Sequence, residues 1–394
     1  MSPALTFGRR AFAHVHHLAG EIGPRPAGSP AEAAAFRYVE RCLRGWGYAP
    51  VSSPVAFAPA PALTWVYISG GLALALGGAF LADLPALALL PAVYIAALPD
   101  VAREVVRRRP RTASSQNQLA FTPTTVSNGA APTLVLCAHV DSAPASAFQA
   151  RWLVEVHQSL MFVALRAAWA LAALVILGWL GIGWPATVLA AVGAAAGLVG
   201  GAWVVLETLA QVLRVGRYSP GAHDNASGVG VLLAVAEHLA AEPPARLRVG
   251  FLFTGAEETG LHGAEAAARQ AWGPRTAVLS VDMVGAGATL RYITRDGALR
   301  VRATDERLND VIAAACPEAR GLAYPLRSGD FLPFLRHGVP AGALQTSGSR
   351  EAETAYHTVH DTPDVVELEA LDDTVQALLR IFTTAEARGY PEAR

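Results

Sequence analysis

Five residues, spread over more than two hundred positions, have side chains that commonly bind divalent metal ions. They are His139, Asp224, Glu258, Asp282 and His357, in the words AHVDS, HDNASG, GAEETG, VDMVG and YHTVHDTPD. Each residue ends an apolar run or opens a turn. Three carboxylates and two imidazoles are what two adjacent metal ions need if one carboxylate bridges them. The ordered set therefore predicts a dinuclear metal centre that hydrolyses its substrate.

The local sequence also predicts which ligand belongs to which ion. Asp224 heads a glycine-rich turn, where its two carboxylate oxygens can each reach a different metal. His139 and Asp282 would complete one position, and Glu258 and His357 the other. Ions bridged in this way lie ~3.5–4 Å apart and hold a hydroxide between them, with a pKa lowered to near ~7.

Two further acidic residues are predicted to assist the ligands. Glu257 adjoins Glu258, and neighbouring side chains point differently, so Glu257 is free to act as the general base. Asp141 lies two residues after His139, where its carboxylate can accept the other imidazole N–H and fix the tautomer. Taken singly, each of these acids and histidines is more often a turn former, a helix cap or a solvated surface group. The order of the whole set favours a catalytic metal site over these structural roles.

Composition excludes several other functions. Basic and acidic residues number 31 and 32, which gives no global field to attract nucleic acid. All the cations are arginine, so a P-loop lysine and Schiff-base chemistry are excluded. The three cysteines are widely spaced and predict no disulfide framework. The words G-x-S-x-G and H-E-x-x-H, typical of serine hydrolases and helical zinc sites, are absent from the sequence.

Two long apolar segments interrupt the chain and predict membrane-spanning hairpins. The runs around 62–99 and 159–210 contain stretches long enough to cross a hydrocarbon core of ~30 Å. Arginines flank the ends away from the hairpin turns, which places the catalytic segments on the cytoplasmic side. The predicted location is thus an integral, multi-pass membrane protein in contact with the bilayer; buried helices of a large soluble core are the alternative. The predicted organisation is a catalytic domain in three pieces, 1–61, 100–158 and 211–394, separated by hairpins 62–99 and 159–210.

The remaining sequence alternates strand-like and helix-like segments. TLVLCAHVD, RLRVGFLFTG and TAVLSVDMVG are apolar runs of strand length. Helical patterns follow in SGVGVLLAVAEHLAAE, LHGAEAAARQAW and LDDTVQALLRIFTTAEAR. This alternation predicts an α/β fold, a three-layer α/β/α sandwich with a mixed, largely parallel sheet, plus the inserted transmembrane hairpins. His139, Glu258 and Asp282 then fall at the carboxyl ends of strands, the usual position of sites in open α/β sheets.

These words, in this order, resemble the M28 family of dinuclear zinc peptidases, which includes secreted aminopeptidases. The resemblance begins at IGPRPAGSPAE and continues through SSQNQLAF, CAHVDS, GAHDNASGVG, FTGAEETGLHGAE, SVDMVG, SGDFLPF and YHTVHDTPD. It implies two zinc ions per chain, Asp224 as the bridge and Glu257 as general acid and base. It implies a cis peptide bond after Asp224, and His357 rather than His360 as the ligand. The two apolar segments depart from the soluble members.

The sequence therefore predicts a membrane-anchored, zinc-dependent exopeptidase, an aminopeptidase that cleaves N-terminal peptide bonds. One alternative is another amide hydrolysis at the same site, by a carboxypeptidase or an acyl-amino acid hydrolase. Another is a non-catalytic membrane module that keeps a peptidase fold as a binding surface. The expected partners are a peptide substrate and the lipid bilayer, without nucleic acid, and the oligomeric state is left open.

Overall fold

The structure is a computed structural model that describes most of the chain outside the apolar segments. The described residues are 6–59, 108–122, 131–145, 151–183, 217–297, 301–324 and 328–391, with scattered positions between 184 and 216.

The described residues form one mixed sheet of nine strands with helices around it. The strands run in the order β1-β2-β4-β3-β5-β9-β6-β7, with β8 paired to β6. They are β1 (Val51–Phe57), β2 (Ala113–Phe121), β3 (Thr133–His139), β4 (Arg248–Thr254), β5 (Thr276–Val281), β6 (Thr289–Asp296), β7 (Arg302–Ala303), β8 (Arg320–Tyr324) and β9 (Ala341–Ser347). The helices are α1 (Thr6–Val15), α2 (Pro30–Gly45), α3 (Arg151–Trp179), α4 (Ser227–Ala241), α5 (His262–Ala268), α6 (Glu306–Ala315), α7 (Phe331–Arg336), α8 (Arg350–Ala355) and α9 (Leu368–Arg388).

The centre of the sheet is parallel and its margins are antiparallel. Strands β4, β3, β5 and β9 pair in parallel, as do β6 and β8. By contrast, β1–β2, β2–β4, β6–β9 and β6–β7 are antiparallel pairs. The predicted α/β class with a mixed sheet is confirmed, but the described strands form as many antiparallel pairs as parallel ones, four of each.

Strand β3 shows why helices cover both faces of the sheet. All seven of its residues are buried. Leu134, Leu136 and Ala138 join the core cluster that contains α1, α2, α4, α6 and α9. Val135 and Cys137, which alternate with them, join the second cluster with α5 and α7. Because side chains on a strand point alternately to opposite faces, one continuous apolar run fills two cores.

Helix α2 begins where its sequence contains a capping box. The Ser29 side chain accepts a hydrogen bond from the Glu32 N–H at 3.1 Å, and the Glu32 carboxylate accepts one from the Gly28 N–H at 2.7 Å. Each side chain thus satisfies a donor that the helix end leaves free. Pro30 occupies the first turn, where its missing N–H is harmless.

The predicted membrane location is wrong for the residues the structure describes, since none of their helices combines the length and apolarity of a membrane span. Helix α3 shows the physical reason. It contains Arg151, Glu155 and Arg166 and ends at Trp179, so its uncharged part extends only about 20 Å, short of a core of about 30 Å. An apolar run read along the sequence does not guarantee an unbroken apolar helix. The first predicted hairpin, 62–99, lies outside the described residues, as does most of 184–210.

The chain divides into two compact units. One comprises Met1–Pro59, Val106–Ala145 and Tyr218–Arg394 and contains the sheet. The other comprises Ala60–Val105 and Ser146–Arg217 and contains α3. The domain boundaries given from the sequence stay predictions.

A half-buried histidine in α1, His14, makes the stability of the sheet-containing unit pH-dependent. The His14 Nδ1 lies 2.7 Å from the Tyr38 hydroxyl oxygen, and its ring meets Trp46 edge-on. Burial, together with the nearby His17, lowers the pKa of His14 from 6.5 to about 4. The folded state therefore disfavours the protonated ring, and the stabilisation that the neutral ring contributes is lost as pH falls from 6.5 towards 4.

We expect His14→Gln to remove part of this pH dependence. Between pH 7 and pH 4 the wild-type free energy of unfolding should fall by about 2 kcal/mol more than that of the variant. Urea unfolding of both proteins at each pH measures the difference. Equal losses in the two proteins would show that His14 does not resist protonation in the folded state.

Candidate metal centre

Three of the predicted ligands, and the predicted base Glu257, lie at one edge of the sheet because they follow parallel strands. His139 ends β3, Glu257 and Glu258 follow β4, and Asp282 follows β5. In the register of the sheet His139 is opposite Thr254 of β4, and Cys137 is opposite Ser280 of β5. The carboxyl ends of parallel neighbours meet, so residues far apart in sequence converge there.

The other two predicted ligands come from turns. Asp224 lies in the turn Ala222–Ala226 that leads into α4, and its peptide bond to Asn225 is cis, as the resemblance implies. His357 follows α8 and has a φ of 53°, a left-handed conformation that directs the chain out of the helix.

The structure brings the five predicted ligands together around Asp224. One Asp224 oxygen, Oδ1, lies 3.1 Å from His139 Nε2, and the other, Oδ2, lies 3.1 Å from His357 Nε2. His139 Nε2 is also 3.6 Å from Asp282 Oδ1, and His357 Nε2 is 3.3 Å from Glu258 Oε2. The two oxygens of Asp224 therefore face two different groups of possible ligand atoms, His139 with Asp282 and His357 with Glu258.

The donor set fits a metal ion. His139, Asp224 and Glu258 each offer a ligand atom, and these atoms all lie within 4.8 Å of one another. Glu258 Oε1 and Asp282 Oδ1 are buried without a hydrogen-bond partner in the described part of the chain. Buried carboxylate oxygens are costly unless a donor or a cation compensates them. Imidazole nitrogens together with carboxylate oxygens are ligands that zinc prefers.

The protonation of the histidines reflects the same concentration of negative charge. Burial acts to lower the pKa of His357, but Glu258 and Asp224 outweigh it and raise the pKa to about 10. Burial likewise opposes the charged form of His139, yet Glu257 and the other surrounding carboxylates raise its pKa well above 6.5. For Asp224, burial acts upward, but hydrogen bonds to His139 and His357 bring the pKa below its usual value. Positive charge must therefore balance these carboxylates. Bound metal ions can provide it in place of the protons on the two imidazoles.

Asp141 has a different contact from the one predicted. The His139 Nδ1 lies 3.1 Å from the backbone carbonyl oxygen of Asp141, while the Asp141 carboxylate is 3.7 Å away, beyond hydrogen-bond distance. That carboxylate instead accepts the N–H groups of Glu257 at 3.0 Å and Glu258 at 3.1 Å. Asp141 thus ties the end of β3 to the turn that presents both glutamates.

Glu257 has the properties of a proton carrier. Burial raises the pKa of Glu257 well above its usual value; His139 opposes the shift, and Glu258, Asp330 and Asp282 reinforce it. A carboxylate whose proton affinity is raised in this way takes up a proton more readily than an exposed glutamate does.

Several buried charged residues beside the ligands have no role in the sequence interpretation. Asp330 follows β8 and accepts a hydrogen bond from the Thr254 hydroxyl; Arg25 and Asp361 contact the loop before Asp224. All three occur in words that carry the resemblance, SGDFLPF, IGPRPAGSP and YHTVHDTPD. The sequence motifs contain these three residues, but only the folded structure shows which groups the residues contact.

Part of the chain matches a known protein family. The model of peptidase family M28 matches residues 207–382, which include Asp224, Glu257, Glu258, Asp282 and His357. His139 and Asp141 precede the matched segment, so their membership of the site depends on the geometry described above. No curated protein matches the chain.

Solved structures of low sequence identity share the fold. The zinc aminopeptidase from Bacillus subtilis is 15% identical with a TM-score of 0.56, covering 96% of this chain and 95% of that one. The aminopeptidase from Aneurinibacillus sp. strain AM-1 is 17% identical with a TM-score of 0.55, covering 98% and 95%. The glutaminyl cyclase from Porphyromonas gingivalis is 15% identical with a TM-score of 0.54, covering 97% and 98%.

The fold and the matched segment define the class of this protein as a metallopeptidase-type hydrolase. Residues 207–382 match the model of peptidase family M28, the family that the motifs resemble.

We expect zinc to stabilise the folded chain through this centre. A ligand that binds only the folded state at 1,000 times its dissociation constant adds about 4 kcal/mol to the free energy of unfolding. His357→Ala should lose a large part of that gain, because it removes an imidazole from one position. Thermal or urea unfolding with and without zinc measures it.

The matched control is His337→Ala, which removes a surface histidine paired with Glu265 at 3.0 Å. This variant should keep the full stabilisation by zinc. If zinc stabilises His357→Ala as much as the wild type, His357 is not a ligand.

Proposed function

We propose that this protein is a zinc-dependent aminopeptidase with two zinc ions per chain. The observation that carries the proposal is the position of Asp224, whose two oxygens each lie 3.1 Å from a different imidazole. A carboxylate presented in this way can bridge two cations. His139 and Asp282 would hold one ion, Glu258 and His357 the other, and Asp224 both. The five ligand assignments remain part of the proposal.

Bound zinc would polarise the scissile carbonyl and lower the pKa of the attacking water. The chain's own residues would supply the remaining steps. The Glu257 carboxylate would take the proton from the nucleophilic water and return it to the leaving amine. Asp141 would keep Glu257 in place through the Glu257 N–H, which it accepts at 3.0 Å. The substrate's free amine would be held by carboxylates beside the metals, which favours cleavage at the N-terminus of a peptide.

Removing Glu257 should separate catalysis from metal binding. We expect Glu257→Ala to keep its zinc and to lower kcat by about 10²–10⁴-fold, the usual contribution of a positioned general base. Asp224→Ala should lose both metal and activity, because both positions share that carboxylate. Metal analysis of the purified variants, together with initial rates on a peptide substrate, provides the measurement. Wild-type turnover in Glu257→Ala would overturn the assignment of the base.

A substrate panel distinguishes the reactions that this fold can support. Glutaminyl cyclases are among the structural neighbours, so the panel needs a peptide that begins with glutamine. The other substrates are a free dipeptide, the same dipeptide with a blocked amine, and the same dipeptide with a blocked carboxyl group. An aminopeptidase should cleave the free and the carboxyl-blocked peptides and leave the amine-blocked one intact.

Other outcomes of the panel identify the alternatives. Cleavage of the amine-blocked peptide alone would indicate a carboxypeptidase or an acyl-amino acid hydrolase. Loss of ammonia from the glutamine peptide, without cleavage of its peptide bond, would indicate a cyclase. Either result would overturn the aminopeptidase proposal while leaving the metal centre intact.

A further inference from the structure

We propose that Arg25 and Asp361 are positioning residues that fix the carboxylate of Asp224 at the point where both metal positions can use it. This proposal rests on the function proposed above, because it concerns the same centre. Neither residue belongs to the predicted set of ligands or to the proton-transfer pathway. Both act on the backbone of the segment that leads to Asp224.

Arg25 is a buried cation whose hydrogen bonds all go to the backbone or to a hydroxyl. Its side chain is 1% exposed. The guanidinium donates to carbonyl oxygens of three separate segments: Leu18 at 2.9 Å and Gly23 at 2.8 Å, Val140 at 2.9 Å, and Pro220 at 2.8 Å with Gly221 at 3.0 Å. The five donors of a guanidinium have fixed directions, so they hold these segments in one relative geometry.

Two of those segments adjoin predicted ligands. Val140 directly follows His139, and Gly221 lies three residues before Asp224. Burial lowers the pKa of Arg25 to about 10, against the opposing effect of Asp361, Asp141 and Asp224, so the group remains cationic at neutral pH. The same side chain therefore tethers the end of β3 and the start of the Asp224 turn.

Asp361 holds the other side of the same turn. Its carboxylate accepts the N–H groups of His223 at 2.7 Å and Asp224 at 3.1 Å, and its backbone carbonyl accepts the Ala222 N–H at 3.1 Å. Asp361 is 1% exposed and lies four residues after His357. The residue thus joins the turn of Asp224 to the segment that carries the second imidazole.

The turn is held from both ends of its peptide groups, by a guanidinium on its carbonyl oxygens and a carboxyl group on its N–H groups. The carbonyl oxygens of Pro220 and Gly221 accept from the Arg25 guanidinium, and the N–H groups of His223 and Asp224 donate to the Asp361 carboxyl group. Charge-assisted hydrogen bonds are about twice as strong as neutral ones. The packing leaves little slack, because a Cβ added at Gly221 would lie 2.8 Å from the Ser142 Cβ. The Asp224 backbone is therefore held from both sides by hydrogen bonds within the chain.

A bridging ligand depends on this precision more than a terminal ligand does. A functional constellation must be held within about 0.5 Å of its working geometry. A terminal carboxylate can rotate to follow one ion, whereas a carboxylate between two ions has to satisfy both at once. Together the hydrogen bonds from Arg25 and Asp361 to the Asp224 turn form the Arg25–Asp361 clamp. Removing some of them should therefore weaken metal binding even in variants that still fold.

The alternative is that both residues only stabilise the fold, and a matched variant separates the two effects. Asp372 is also a buried carboxylate that accepts a backbone N–H, that of Gly8 at 2.8 Å, where α9 meets α1. Asp372→Asn makes the same chemical change as Asp361→Asn in a contact between two helices, away from the ligand-bearing turns. It should lower the free energy of unfolding without changing the affinity for metal.

The experiment measures zinc affinity of the full chain by chelator competition, at a temperature where urea unfolding shows each variant to be folded. Asp361→Asn and Arg25→Lys should weaken zinc binding about 10–100-fold, as removal of an outer partner of a metal ligand commonly does. With cobalt in place of zinc, the visible absorption spectrum should change in both variants, because it reports the coordination geometry. Asp372→Asn should match the wild type in affinity and in spectrum.

Wild-type zinc affinity and cobalt spectrum in the folded Asp361→Asn and Arg25→Lys variants would overturn the proposal. If Asp361→Asn does not fold, Ser142→Ala is the milder test. The Ser142 hydroxyl donates to the Ser219 carbonyl oxygen at 2.8 Å and accepts the backbone N–H of Arg25 at 2.9 Å. It should weaken zinc binding in the same direction, and unchanged affinity would again count against the clamp. These readouts need no substrate. A wild type that binds zinc but cleaves no peptide would refute the proposed function and leave this test valid, whereas a wild type without zinc affinity would refute both.

Discussion

The negative charge at the carboxyl edge of the sheet is the constraint on which the site depends. Asp224 lies between two imidazoles, and Glu258 and Asp282 each have a buried oxygen without a hydrogen-bond partner in the described residues. Carboxylates crowded in a region of low dielectric repel one another strongly unless cations lie among them. The pKa values of His139 and His357 are raised because the surrounding carboxylates favour the positively charged imidazole. A site built in this way requires positive charge, and bound metal ions would supply it.

The ligands are supported mainly through the backbone that carries them. Asp141 accepts the N–H groups of Glu257 and Glu258, and Asp361 accepts those of His223 and Asp224. Arg25 donates to the carbonyl groups beside His139 and before Asp224. Buried charges that bind backbone groups can fix a loop while leaving the ligand side chains free for the metal. This arrangement explains how turns, which are usually mobile parts of a fold, can present ligands as precisely as strands do.

The apolar segments show the limit of reading physical properties along the sequence alone. Helix α3 coincides with one of these runs, yet Arg166 lies inside it and it ends at Trp179. The length of an apolar run is a property of the sequence, whereas the capacity to span a membrane belongs to a continuous helix. Where a helix begins and ends depends on contacts and turns that hydropathy does not record. The membrane prediction failed at that step, while the peptidase prediction, which depends on specific side chains, was unaffected.

By itself the sequence determined the family resemblance and the central strands. The continuous apolar runs of β3, β4 and β5 predict strands buried on both faces, and the side chains that follow them are of types that bind metal ions. It did not reveal the antiparallel margins, because β1, β2 and β6 are polar and irregular in pattern. Only the tertiary structure decided that Asp141 binds backbone N–H groups and that Arg25 and Asp361 hold the Asp224 turn. Those contacts join residues up to 196 positions apart, and no local pattern encodes a hydrogen bond between groups that distant.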